Sequence, residues 1–463
     1  MIALTVAEIA IIIDAEIINL DPAAVITEYP EIDSRKVVSG SFFIALPGVR
    51  SDGNLYVKEA LENGARFAIT TVQLDVPSFV VADVAVALSA LAAVARDRLT
   101  QCLFIGITGS HGKTTTKDLL GHVLSLAGEC VTPSGSFNNE IGVPLTILRA
   151  KESTRFCVIE MGARHNGDIG KLCRLAKPHI GIVLVVGSAH LGEFGSREAI
   201  ARAKGELIDS LPPHGVAILG TYDPLTPLMG EGSGRKRIFF GERSDCNVRA
   251  ADLEFREGLA HFDLVAPSGR APVSLRLLGA HQVANALATA ATALEIGIPI
   301  ESVAAALSTA EATSKWRMEL HDIDELLLIN DTYNANPESM EAALRTLIHL
   351  TQERGGSSWA FVGKMNELGE SESAEHLRIG RLASDLGVDH LVAVGTDLYL
   401  EGLQLDPEAG DDLLTYYFLT QEEALSMVRH VQPGDVVLVK ASRAEHLDEL
   451  AEKLLANWQV ARE

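Results

Sequence analysis

The stretch Ile105–Thr116, I-G-I-T-G-S-H-G-K-T-T-T, constrains this chain more than any other. A short apolar run, Leu103–Ile107, leads into it, and Leu119, Leu120, Val123, Leu124 and Ala127 follow at helical spacing. Strand, glycine turn and helix in that order close backbone N–H groups around a phosphate chain, and the helix N-terminus adds its partial positive charge. Gly109 and Gly112 permit the turn, Lys113 reaches toward the outer phosphates, and the Thr114 hydroxyl suits Mg²⁺. The register departs slightly from G-x-x-x-x-G-K-[ST]: Ile107 stands where the first glycine belongs, with Gly106 beside it. A glycine turn without a ligand is the alternative, and the full G-K-T-T run argues against it.

The 463 residues suggest about three domains. We expect them at 1–98, 99–314 and 315–463, and 47% hydrophobic residues supply their cores. A net charge of −23 argues against nucleic acid as a partner, although one local basic site can still hold a nucleotide. The isoleucine-rich start is broken by Glu8, Asp14 and Glu16 and has no basic segment of the secretory kind. No uncharged apolar run is long enough for a transmembrane helix. Of the cysteines Cys102, Cys130, Cys157, Cys173 and Cys246, none form C-x-x-C, and we expect free thiols in a reducing compartment. No membrane insertion, a cytoplasmic location and a monomer are the expectations.

Along the chain, Ser41–Leu46, Phe67–Thr71 and Phe79–Val81 read as strands, with helices at Tyr56–Gly64 and Asp83–Leu99. Ser34 and Arg35 either grip a phosphate or uracil group or simply make a turn. Asn138 and Asn139, in G-S-F-N-N-E-I-G-V-P, either cap a helix or bond a sugar or peptide substrate. Glu160 ends the apolar run Phe156–Ile159, where a Mg²⁺ ligand belongs beside a phosphate loop; a solvated carboxylate is the alternative. His190 follows the next strand, Ile180–Val186, on the same sheet edge and counts only in company. Lys204, on a helix over Arg197–Leu211, has Ile200, Ala201, Leu207 and Ile208 around it. It either snorkels to water or is held desolvated as a neutral amine. A strand at Val216–Leu219 and a polar region, 221–275, follow. His281 and Asn285 open an alanine-rich helix, as base contacts or as caps. In the third unit, strand Leu326–Ile329 leads to N-D-T-Y-N-A-N-P-E-S-M. Asn336 caps a helix with Pro337 at its first position, leaving Asp331, Tyr333 and Asn334 at the strand's C-terminal end. Alternating strands and helices then make a doubly wound domain.

Four stretches carry a resemblance that covers the whole chain: D-T-Y-N-A-N-P-E-S-M at 331–340, F-V-G-K-M-N-E-L-G-E at 361–370, L-V-K-A-S-R at 438–443 and G-S-F-N-N-E-I-G-V-P at 135–144. Together with the phosphate loop they are similar to the Mur ligase family. The resemblance implies an α/β fold of three domains, with a central P-loop ATPase-type parallel sheet and a C-terminal Rossmann-like domain that binds the incoming dipeptide. It implies ATP at Gly109, Ser110, His111, Gly112, Lys113, Thr114 and Thr115, with His281 and Asn285 by the adenine, Asp331 at the ribose and Arg317 at the phosphates. It implies Mg²⁺ at Thr114, Glu160 and His190, and a carbamylated Lys204. Ser34, Arg35, Asn138 and Asn139 would hold a UDP-sugar, and Tyr333 and Asn334 line the third-domain loop. Lys113, Lys204, His190 and Arg317 are the expected catalytic group. Lys364, Gln282 and Asn54 depart from the family's usual residues.

The implied chemistry is ATP-dependent ligation. The carboxylate of UDP-MurNAc-tripeptide would be phosphorylated to an acyl phosphate, and the amine of D-Ala-D-Ala would displace phosphate. The motif at 331–340 argues against the family's other members and against folylpolyglutamate synthetases. A P-loop kinase or ATPase of another class has no use for His190 together with Lys204.

Overall fold

The structure is a computed structural model that describes residues 1–48, 51–189, 191–311, 313–404 and 413–460. Apolar runs bounded by glycine and capped helices build three sheets larger than a hairpin, with five, nine and six strands. In the first, the strands Pro30–Glu31, Phe42–Ile44, Ala68–Thr70 and Ser78–Val80 run parallel, and Glu16–Ile18 closes the edge antiparallel. Phe67 stacks on Phe42 (ring centroids 4.8 Å apart) and meets Phe79 edge-on at 5.2 Å, which fills the sheet's inner face. Asp83 caps the helix Val84–Arg98 by accepting the N–H groups of Ala85 and Val86. That helix packs on Gly142–Leu148, so the first core continues onto one face of the central sheet.

In the central sheet, strand Leu103–Thr108 lies between Phe156–Glu160 and Ile180–Val183, all parallel. Ile107 pairs with Glu160 and Thr108 with Val183, so the phosphate loop, Glu160 and the segment after Val183 leave one sheet edge together. The region 221–275, which the sequence marks only as polar, extends this sheet. Lys236–Gly241 adds in parallel, and Val248–Arg256, Leu259–Ala266 and Gly269–Leu278 add as antiparallel neighbours or by a short parallel bridge. Their side chains alternate buried and open, because one face packs under the helices His281–Glu295 and Ile300–Thr309 while the other meets water. That alternation is why the composition looks polar.

The third sheet runs Glu319–Ile323, Leu326–Asn330, Val436–Lys440, Ser358–Val362, His390–Val394, Leu414–Phe418. All neighbours are parallel except the first pair, a hairpin turned by Asp324 and Glu325 with φ of 48° and 69°. Separate apolar cores lie on its two faces, the doubly wound arrangement expected. Asn336 caps the helix Pro337–Arg354 by accepting the N–H of Ser339, with Pro337 at the first position. Among the described residues no helix is long and apolar enough to cross a membrane, and the five cysteines are free.

Candidate active site

The C-terminal strand ends of the central sheet face those of the third sheet across a cavity of about 740 Å³. Gly109 passes so close to Leu184 that a Cβ there would stand 2.9 Å from the Leu184 Cβ. Gly112 has φ +82°, and a Cβ on it would meet Asn285 Oδ1 at 2.4 Å. Both positions therefore require glycine. Gly106, by contrast, is buried in the strand against Leu207, so the loop proper spans Gly109–Gly112. The helix Lys113–Leu124 starts from Gly112 with no side-chain cap, leaving its first N–H groups available to an anion. Lys113 folds back and donates to Gly109 O at 2.7 Å. Burial holds its pKa below the usual lysine value, and Glu160 opposes that shift.

Beside the loop, Glu160 Oε1 accepts from Asn138 Nδ2 at 2.9 Å, while Oε2 is buried with no hydrogen-bond partner. Asn139 Oδ1 accepts the N–H of Gly142 at 3.0 Å and so holds the start of the next helix. Both asparagines line the cavity. Lys204 also lines it and is 4% exposed. Burial, reinforced by the charge of Lys113, pulls its pKa down to about 7. Asn285 accepts from Thr116 Oγ1 at 3.2 Å and donates to Gln282 Oε1 at 2.8 Å. Gln282 in turn meets His281 Nε2 at 3.1 Å. Burial lowers the His281 pKa to about 4, so the ring is neutral at pH 7, and its Nδ1 has no partner.

The third unit supplies the opposite wall. Arg317 Nη2 donates to Thr114 Oγ1 at 2.9 Å and to Ser136 Oγ at 3.2 Å. Its guanidinium lies 3.8 Å above the Tyr333 ring centre. Trp316 and Met318, on either side, have φ of 60° and 51°. This left-handed backbone costs about 1 kcal/mol or more at each non-glycine residue. It is held by Trp316 N–H to Glu319 Oε2 (3.0 Å), Tyr333 N–H to Trp316 O (3.0 Å) and Met318 N–H to Asp331 Oδ1 (3.1 Å). Asp331 Oδ2 pairs with Lys440 Nζ at 2.5 Å, and Lys440 also donates to Asn334 O at 2.8 Å.

The cavity thus gathers Ser110, His111, Gly112, Lys113, Thr114, Thr115, Asn138, Asn139, Glu160, Lys204, His281, Asn285, Arg317, Asp331, Tyr333 and Asn334. Ser34 and Arg35 are not among its lining residues. Ser34 is buried under its own turn, and Arg35 is exposed and paired with Asp33 at 2.9 Å. His190 lies outside the described residues. Lys364 pairs with Glu372 at 2.9 Å, and Asn54 bonds Asp52 and Thr71, both away from the cavity. Ser136, Glu338 and Lys440 line the site without having been singled out. Lys440 sits inside L-V-K-A-S-R and Glu338 inside D-T-Y-N-A-N-P-E-S-M, so both lay within recognised stretches.

Three family models match the chain: Mur ligase family, catalytic domain, over residues 31–101; Mur ligase middle domain over 107–293; and Mur ligase, glutamate ligase domain, over 316–443. The UDP-N-acetylmuramoyl-tripeptide–D-alanyl-D-alanine ligase of Mycobacterium bovis is 40% identical, covering 99% of this chain and 98% of its own length. The Escherichia coli enzyme of the same name is 31% identical, with 99% of each chain covered. Among solved structures, MurF from Acinetobacter baumannii superposes with a TM-score of 0.85 at 34% identity, covering 98% of this chain and 99% of that one. MurF from Thermotoga maritima in complex with ADP gives 0.75 at 29%, covering 93% and 99%. Matched in three successive segments and aligned end to end with these relatives, the chain belongs to the Mur ligase family.

Proposed function

We propose that this chain is an ATP-dependent ligase that joins D-Ala-D-Ala to UDP-MurNAc-tripeptide, giving the pentapeptide precursor for peptidoglycan. The observation that carries this is the end-to-end similarity to ligases of that name, together with a phosphate loop facing a cation-bearing third unit across one cavity. On this reading residues 1–98 take the UDP-sugar, 99–314 the ATP and 315–463 the dipeptide, within one chain acting as a monomer in the cytoplasm. Ser34 and Arg35 then meet the uridine end, remote from the reacting carboxylate. The loop residues, His281, Asn285 and Asp331 bind the nucleotide, and Asn138, Asn139, Tyr333 and Asn334 hold the peptides.

The tripeptide's terminal carboxylate attacks the γ-phosphorus of ATP, the bond to ADP breaks, and an acyl phosphate forms. The dipeptide amine then attacks the acyl carbon, phosphate leaves, and the amine's proton passes to solvent. Lys113 and Arg317 put positive charge where the phosphoryl group moves, so the protein contributes position and electrostatics. The site also fits Mg²⁺: Glu160 Oε2 is buried without a hydrogen-bond partner and its residue lines the cavity beside the phosphate loop. Thr114, Glu160 and His190 would hold the ion, which would supply positive charge for the phosphates. A neutral Lys204 amine can add CO₂, releasing a proton and leaving a carbamate whose negative charge favours the ion.

ADP release measured with both peptide substrates, and with each omitted, tests this. Turnover should require both, and the same assay with tripeptides ending in lysine and in diaminopimelate decides which of the two is used. A single amino acid as the best acceptor, with its cognate nucleotide substrate, would overturn the assignment.

A further inference from the structure

Glu338 stands in the first turn of the helix Pro337–Arg354, in the third unit. Both of its carboxylate oxygens reach into the middle unit and bind one residue. Oε1 accepts the Ser188 N–H at 2.7 Å, and Oε2 accepts the Ser188 hydroxyl at 2.9 Å. The preceding Gly187 donates its N–H to Ser110 Oγ at 2.8 Å, and the Ser110 N–H is donated to Val185 O at 2.9 Å. A hydrogen-bonded chain therefore runs from the third unit through residues 187–188 to the phosphate loop. Gly187 is the close point: a Cβ there would stand 2.9 Å from Glu338 Oε1 and 3.3 Å from the Ser110 Cβ.

We propose that Glu338 is a positioning residue: by clamping Ser188 it fixes the phosphate loop only while the third unit closes over the cavity. The proposal rests on the ligase reading above and adds a device that couples closure to the loop. Separating the third unit from the middle one must break both bonds to Ser188. That releases the Gly187 amide and with it the support of Ser110. A bidentate carboxylate on one N–H and one O–H fixes orientation as well as distance, which a single contact does not. An acidic residue in a helix first turn also favours the helix dipole, and the two roles separate by substitution. Glutamine keeps an acceptor for the N–H and places an amide against the hydroxyl, but it loses the charge. Alanine loses both.

The test uses Glu338→Gln, Glu338→Ala, Ser188→Ala and the double alanine variant. Hydrogen exchange of the segment around 187–188 is measured with ATP bound, alongside steady-state ligation. Glu338→Ala should speed exchange there about tenfold, as expected when a local bond network opens. It should lower kcat by roughly tenfold to a hundredfold, the usual loss when an orienting group is removed, with a smaller change in the KM for ATP. Glu338→Gln should recover most of both. Adding Ser188→Ala to Glu338→Ala should change little further, because the two act as a unit. Unchanged exchange in Glu338→Ala, a glutamine variant as impaired as alanine, or losses that multiply in the double variant would each overturn the clamp. Absence of substrate-dependent turnover in the wild type would instead overturn the ligase reading and leave the exchange result to judge the clamp.

Discussion

On one side of the cavity, Lys113 and Thr114 begin a helix rooted between buried strands, and Glu160 ends the neighbouring strand in direct register with Ile107. On the other side, Arg317 and Glu338 stand on a loop and a helix start that meet the first wall through side-chain contacts, at Thr114, Ser136 and Ser188. The first wall is held by the core of its own sheet. The second is internally tied, by Lys440 to Asp331 and by the caps around Asn336, yet joined to the first by polar bonds that can be remade. Such a division would let the third unit admit a substrate and then close, and on the clamp proposed above that closure also fixes the phosphate loop.

The largest effect should come from the first wall. In Lys113→Ala the fold is retained, because the loop's shape rests on Gly109 and Gly112. The charge on the transferring phosphoryl group is lost, at a cost of about 3–4 kcal/mol, or roughly 10²–10³ in kcat. Circular dichroism and ligation rates check both halves. Ligation within tenfold of wild type would mean that the opposite wall alone carries the charge.

Lys204 tests whether the first wall is negative or positive near the proposed metal ligands. Its pKa near 7 leaves the neutral amine dominant above that pH, so carbamate should accumulate as pH rises through about 7 at fixed dissolved CO₂. Labelled bicarbonate should give a carbamate carbon resonance that Lys204→Arg lacks. Because guanidinium keeps its charge, Lys204→Arg should lose about a hundredfold in kcat, at the upper end of losses for groups that tune a metal site. A fully active arginine variant would show that the wall works with a cation there.

How much of this was legible in the chain follows from where each signal resides. Gly109, Gly112 and Lys113 announced the first wall because close backbone approach restricts residue type locally. Asn336 and Pro337 announced a helix start for the same reason. The strands from Val248 to Leu278 were missed because a one-sided sheet hides its apolar residues among polar ones. The Glu319–Ile323 hairpin was missed because Asp324-Glu325 lacks the asparagine or glycine that marks such turns. The Glu338–Ser188 pair spans 150 residues and has no local signature at all. Ser34 and Arg35, read from the sequence either as a phosphate or uracil grip or as a turn, are not among the residues that line the cavity.

The smallest effect should come from a charge of the third unit that leaves the cavity alone. Lys364 stands in F-V-G-K-M-N-E-L-G-E, and its side chain pairs with Glu372 at 2.9 Å while half-exposed. What places residue 364 is backbone: its carbonyl accepts the Ser442 N–H at 3.0 Å, and the following Met365 N–H is donated to His376 Nε2 at 3.0 Å. Neither bond needs the lysine side chain. An exposed pair of this kind contributes about 0–1 kcal/mol. Lys364→Ala should therefore shift the denaturation midpoint only slightly and leave kcat/KM within about threefold, since that energy corresponds to a factor of a few. Lys364→Asp should be somewhat less stable than Lys364→Ala, because it sets a carboxylate against Glu372, and added salt should narrow the gap. A tenfold loss of ligation in Lys364→Ala would instead give the lysine a part in substrate handling, and the wall supplied by the third unit would then reach beyond the cavity.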